Sequence, residues 1–292
     1  MVEATTRWSI TRRKIFTNCA RRYAIKYVHN NNKKWIKSKK RSNSPWDLMI
    51  STSRCIFFEL LTDLHRGVTW SEKLIQSRIR FELTSQLISF GITDKKISNE
   101  KRNKLILYAF IRIKKILGNS IINKIVNGTI KEWSFHDRIK PVMFGHIEVY
   151  CSPDIVYRYK SKWHLVRLNF QSEKNQPYVD LELCSMLLWS RYNQYLPNIE
   201  EKFAIHGIFY SSGKWRNYSI IPSQKMLQES KQLLEKDTHN MRLLQNEFVK
   251  SMNPNKLPFA SSNKYCIRCP YKISCPKFHF SKKAETQFFE SI

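Results

Sequence analysis

The sequence predicts an α/β protein, a mixed central sheet flanked by helices with a helical region ahead of it. Three observations predict this. Residues 150–170 hold two apolar runs on either side of a polar turn at 160–162. The first is opened by Pro153-Asp154 and carries Ile155 and Tyr157; the second spans 163–170 with Leu165, Val166 and Leu168. That is the pattern of two paired strands. Residues 176–192 place Leu181, Leu183, Met186, Leu187 and Trp189 along an amphipathic helix. Residues 203–210 and 214–221 then read as two more strands around the turn Ser211-Ser212-Gly213.

The other elements follow in chain order. Ser9 or Thr11 is placed to cap a helix running to about Val28, with Ile15, Cys19, Tyr23 and Tyr27 on one face. Residues 30–43 form a Lys/Asn/Ser-rich loop, either a solvated linker or a phosphate-contacting arm. Three helices are expected over 45–64, 70–90 and 99–117. Pro45 opens the first and Gly67 follows its end, the usual asymmetry. The third alternates Lys and Arg with Leu, Ile and Phe, so one face packs and the other is basic. Residues 121–135 read as a short helix and a strand. Residues 139–148 read as the next strand, joining the 150–170 pair in an antiparallel meander. A long helix over 224–252 precedes a Pro/Ser/Asn loop at 253–263. The resulting segments are 1–45, a basic helix and loop; 46–120, helical; 121–222, the core sheet and helix; and 223–292, a long helix and a cysteine-bearing tail.

Charge narrows the function. There are 51 Lys and Arg against 23 Asp and Glu, a net charge of +28. Such an excess repels itself unless a polyanion neutralises it, and nucleic acid is the usual partner. A genome rich in A+T would raise Lys, but it does not explain the scarcity of acids. DNA, as single strands or duplex ends, is the expected ligand. Arg12, Arg13, Arg21, Arg22, Lys39 and Lys40 are the first candidates for its phosphates, with Lys34, Arg41, Arg112, Lys114 and Lys115 behind them. Trp35, Trp70, Trp163, Trp215 and Tyr157 either stack on bases or build the core. Apolar runs such as 105–111 are too short to span a bilayer, and no secretory signal follows the basic N-terminus, so a cytoplasmic protein with no membrane partner is expected.

The seven cysteines are an odd number, which points away from a disulfide framework. Cys266, Cys269 and Cys275 form C-x2-C-x5-C followed by proline. Three thiolates within ten residues can wrap one inorganic centre, and a closed site needs a fourth. Zinc sites usually pair two C-x2-C knuckles and this chain has one, which favours iron–sulfur and leaves zinc as the alternative. Cys55, Cys151 and Cys184 fall on apolar faces and are expected as buried thiols.

These motifs together resemble the PD-(D/E)XK superfamily, in particular RecB-like nucleases with an iron–sulfur centre, such as AddB-type subunits of helicase-nucleases and CRISPR-associated exonucleases. Residues 9–28, SITRRKIFTNCARRYAIKYV, are similar to the opening helix of those proteins. The resemblance implies a 4Fe–4S cluster held by Cys19, Cys266, Cys269 and Cys275, tying both ends of the chain together. It implies a restriction-endonuclease-like core, and a helicase or nuclease as partner protein.

The resemblance also implies a site for Mg²⁺ or Mn²⁺ at Asp154, a second acid, and a lysine that activates water. Pro153-Asp154 match the pattern. The second acid and the lysine fall on Arg167 and Asn169, and the Q-x3-Y positions of active relatives fall on Glu182 and Met186. A guanidinium keeps its proton in a protein and repels a metal. The expectation is therefore a nuclease fold that has lost catalysis, with Arg167 making a bidentate contact to Asp154 in place of the ion. The second reading is an active nuclease, with Mg²⁺ or Mn²⁺ bound, whose residues have migrated. Glu182, Glu148 or Asp180 would then be the acid, and Lys160, Lys162 or Lys174 the lysine. The third is a purely structural subunit. His65 and Glu59 are the residues of the preceding helix that could reach a metal, with capping the plainer role for His65.

Overall fold

The computed structural model describes residues 5–28, 44–92, 96–136, 138, 140–171, 179–253, 256–267, 269–272 and 275–277. The chain forms two compact units. One comprises Ser42–Arg138 and Ser152–Leu227, the other Met1–Arg41, Ile139–Cys151 and Gln228–Ile292.

The larger unit is α/β. Its helices are α3 (Pro45–His65), α4 (Glu72–Ser89), α5 (Asn99–Leu117), α6 (Ser120–Val126) and α7 (Val179–Arg191), with α1 (Ile10–Asn18) and α2 (Ala20–Tyr23) belonging to the other unit. Local chemistry sets their ends. Ser44 and Asp47 form a capping box at α3 with Pro45 in its first turn. Ser71, Ser98 and Asn119 cap α4, α5 and α6. The strands are β2 (Trp133–Phe135), β5 (Ile155–Tyr159), β6 (Lys162–Asn169), β7 (Phe203–Ser211) and β8 (Lys214–Ile220), ordered β2-β5-β6-β7-β8. β6 and β7 run parallel and the other neighbours antiparallel, so the sheet is mixed. Helix α7 is the crossover that parallel strands require.

Both hairpins turn on two residues with positive φ: Lys160 and Ser161 at 48° and 61°, and Ser212 and Gly213 at 51° and 79°. Those values match the right-handed twist of the strands they join. A core of Leu48, Phe57, Ile79, Ile113, Val166, Leu168 and their neighbours fills the space between the sheet and helices α3 to α6.

In the other unit, β1 (Thr6–Trp8) pairs in parallel with β4 (Ile147–Val149), which pairs antiparallel with β3 (Val142–Phe144). The single strand expected over 139–148 is thus replaced by two short strands, β3 and β4, of a separate sheet, and they are not part of the meander expected from the sequence. Gly145, at a φ of 55°, supplies the turn that splits them. The expected N-terminal helix is also broken. It divides into α1 (Ile10–Asn18), α2 (Ala20–Tyr23) and a π-helical turn, Ala24–Val28, because Cys19 is extended at φ −165° and ψ 104°. The body of α8 (Gln224–Ser251) completes the unit, burying Leu234, Met241, Leu244 and Phe248. Asp237 of α8 accepts from Trp8 Nε1 at 3.1 Å and pairs with Arg13 at 2.7 Å.

Candidate functional site

Two places gather chemistry, one in each unit. The first surrounds Asp154, whose side chain is fully buried at the start of β5. Its N–H donates to the carbonyl of Val166 at 2.8 Å, the last backbone rung before the strands part. The carboxylate takes over from there, accepting from the N–H of Leu168 at 2.7 Å. Arg138, just past β2, donates from Nε to Oδ1 at 2.6 Å and from Nη2 to Oδ2. The same Nη2 donates to the carbonyl of Leu168. Arg54 of α3 reaches Oδ1 at 3.4 Å. Arg167 of β6 stands 3.8 Å from Oδ2 and 3.5 Å from Glu182 of α7.

The bidentate partner of Asp154 is therefore Arg138, and not Arg167 as expected from the sequence. Arg167 instead lies between Asp154 and Glu182, because its strand position faces α7. A carboxylate offers about four lone-pair directions. Those of Asp154 meet Arg138 twice, Leu168 N–H and Arg54, so its oxygens are engaged by donors. Burial alone would push the carboxyl up, but the charges of Arg138 and Arg167, with Arg54 behind them, hold it below the usual carboxylate range.

The other residues named as possible catalytic replacements are occupied elsewhere or stand apart. Glu182 stays within this cluster through Arg167. Asn169 accepts from the N–H of Gln171 at 3.1 Å, and Met186 is fully buried. Asp180 accepts from Tyr218 Oη at 2.7 Å. Glu148 belongs to the other unit, where Arg7 and Tyr150 hold it. Lys160 lies over the ring of Tyr159, and Lys162 is exposed at the far end of β6 from Arg167. Lys174 lies outside the described residues. Glu59 is paired with Arg78 at 2.7 Å, and His65 packs edge-on against Trp133.

The second place is a cavity of about 290 Å³ lined by Cys19, Cys266, Cys269 and Cys275, together with Arg21, Arg22, Phe259, Tyr265, Lys272 and Lys277 among others. The helix break at Cys19 creates it. Cys19 caps α2, its Sγ accepting from the N–H of Arg22 at 3.4 Å. Arg21 donates to Cys275 Sγ at 3.9 Å and to the carbonyl of Leu257 at 3.0 Å. Burial pushes the thiols of Cys19 and Cys269 up. Among the described residues, no group of three or more His, Cys, Asp or Glu is placed to hold a single metal ion. Cys151 and Cys184 are buried as expected, whereas Cys55 is exposed.

Several phosphate candidates have partners within the fold. Arg21 is buried at 3% exposure, and Arg13 is spent on Asp237. Arg12 lies over the ring of Tyr27, and Arg22 lines the cysteine cavity. Lys114 pairs with Glu72 and Lys115 donates to Gly213. Lys34, Trp35, Lys39, Lys40 and Arg41 lie outside the described residues. The sequence reading missed Arg138 and Arg54; their only sequence signal is that they are cations in segments flanking the core.

No family model matches the chain, and no curated protein sequence matches it either. One solved structure that it resembles is described as "Crystal structure of SSO0001". The two are 13% identical, and the match covers 69% of this chain and 81% of the other at a TM-score of 0.26. A likeness that loose leaves fold and chemistry to the chain's own geometry. Among the described residues no helix is long and apolar enough to cross a membrane.

Proposed function

We propose that this chain is a DNA-binding protein on a PD-(D/E)XK nuclease-like core that no longer cuts. It would act beside a helicase or nuclease in DNA repair, recombination or defence. One observation carries the loss of catalysis: the buried carboxylate of Asp154 spends its oxygens on Arg138, Arg54 and the Leu168 N–H, with Arg167 close by. Mg²⁺ demands near-octahedral oxygen ligands at about 2.1 Å and dehydrates reluctantly. Three fixed guanidiniums would oppose its approach and leave it no free lone pair. The net charge of +28 supports a polyanionic partner.

The cysteine cavity supports a 4Fe–4S cluster. Its donor set is four thiols with no carboxylate or imidazole among the lining residues, the chemistry that selects iron–sulfur or zinc. Zinc sites usually pair two C-x2-C knuckles, and this chain carries one. A polynuclear cluster spreads its ligands more widely. Arg21, Arg22, Lys272 and Lys277 would offset its negative charge. When bound, the cluster would crosslink the first helices to the tail, closing a loop of nearly the whole chain and restricting the unfolded state.

The test is a digestion of single- and double-stranded DNA with Mn²⁺, comparing the native protein with Asp154→Ala. Equal background from both is expected; Asp154-dependent cutting overturns the reading. Iron and acid-labile sulfide, assayed with zinc on anaerobically purified protein, test the cluster. Affinity for DNA is expected to fall steeply with salt, and a shallow slope would favour a purely structural subunit.

A further inference from the structure

Within the larger unit, a second cavity of about 350 Å³ is lined by Trp46, Tyr108, Arg112, Gln171, Tyr210 and the hairpin turn at Ser212, with the adjoining Ser211 and Gly213. That is in the range of cavities that hold small ligands. Arg112 is 3% exposed, and the described residues bring no carboxylate to it. Its Nη1 donates to the thioether of Met49 at 3.1 Å, a weak acceptor, and its buried Nε has no hydrogen-bond partner. The guanidinium lies over the ring of Tyr210 at 4.1 Å and 5.5 Å from Trp46. Burial pushes it down from its usual range.

A cation buried among aromatic rings without an anion costs stability. Such a charge is tolerated where a ligand completes it. Trp46 and Tyr108 stand edge to face 6.0 Å apart and stay 39% and 45% exposed. Trp46 is held in place by Gln171, which accepts from its Nε1 at 2.9 Å. The wall beside Arg112 is the Ser212-Gly213 turn, pinned by Lys115, which donates to the Gly213 carbonyl at 2.8 Å. A buried cation and part-exposed aromatic rings lining one cavity match a group that joins an anion to a flat ring.

We propose that this cavity binds one nucleotide of a single strand, its phosphate against Arg112 and its base against Trp46 and Tyr108. The class of ligand rests on the nucleic-acid reading above. The site itself is independent of whether the Asp154 cluster binds metal.

The experiment measures binding of the full chain to an oligo(dT) of about twelve nucleotides, within the span used by single-strand binders, to a blunt duplex of equal length, and to AMP. Arg112→Met and Trp46→Ala are compared with the native protein, with Tm recorded for each. Both variants are expected to weaken oligo(dT) binding on the order of tenfold, the usual scale for losing a stacked base, with far less effect on the duplex. Arg112→Met is expected to melt no lower than the native protein, because it removes an uncompensated charge. Unchanged oligo(dT) affinity in both variants overturns the proposal. So does a loss in Arg112→Met accompanied by a fall in Tm, which marks a packing residue.

The AMP arm separates the sources. Arg112-dependent binding of AMP assigns the pocket to free nucleotides as well as strands, and binding of the strand alone assigns it to strands. Should the native protein bind no DNA at all, the DNA-binding function fails. The pocket then stands if AMP binds through Arg112 and falls if it does not.

Discussion

Arg138 grips Asp154 through both carboxylate oxygens while also donating to the carbonyl of Leu168, the residue whose N–H bonds the same carboxylate. The carboxylate and the guanidinium thus stitch the end of the β5–β6 ladder together. This is structural work, and it makes a prediction that a metal-binding acid would not. Asp154→Ala should destabilise the fold by about 3–5 kcal/mol, since it leaves the buried Arg167 and the half-buried Arg138 and Arg54 without their shared anion. Asp154→Asn should cost less, because the amide oxygen still accepts from Leu168. Urea midpoints at constant slope check both. An acid kept only for a metal would, when replaced, leave stability unchanged or raised.

Across the same sheet His164 Nδ1 and His206 Nε2 meet at 2.8 Å, and His206 Nδ1 meets Ser219 Oγ at 2.8 Å. Tyr157 stacks on His164 at 4.3 Å, and His164 Nε2 lies near the carbonyl of Tyr159. Burial, with the neighbouring His164, pushes His206 down to about 4, and burial also lowers His164, helped by Lys162 and Lys124. The unfolded chain therefore binds more protons than the folded one between about pH 6.5 and about 4. Stability should be full above that window and decline as pH falls through it. Asp154, held low in the fold, adds a further loss only at still lower pH, as it protonates. In His206→Asn the decline between pH 6.5 and 4 should flatten measurably; denaturation at a series of pH values checks it.

The β5–β6 turn places Lys160 and Ser161 in the left-handed region, where side chains are strained. Replacing Lys160-Ser161 with Asn-Gly should stabilise the protein by about 1 kcal/mol, since that pair favours the same turn. A rise in Tm of a few degrees is the expected reading. No change would mean that the turn relaxes in solution.

A Cβ added at Gly207 of β7 would overlap the ring of Phe209 and come within 3.3 Å of Leu183 Cδ1. Phe209 is buried and Leu183 fully so, leaving little room to yield. Gly207→Ala should cost about 1–3 kcal/mol by overpacking, measured as a drop in the urea midpoint without a change in slope.

The sequence by itself determined the local elements. Helices α3 to α6, the two hairpins and α7 between their strands followed from apolar spacing, the Pro45 start and Gly67 stop of the first, and turn residues acting within a few positions of one another. It also determined the basic balance, and it singled out Asp154 and the four cysteines that line one cavity. Tertiary structure alone decided the partners. Arg138 lies 16 residues and Arg54 100 residues from Asp154 in sequence, and neither stands in a pattern that announces it. Likewise the break at Cys19, the small sheet that claims residues 142–144 and 147–149, and the burial of Arg21 and Arg112 depend on where distant segments pass. Periodicity is a property of neighbours along the chain, whereas a charge meets its partner through space, and only the folded path brings those two orders together.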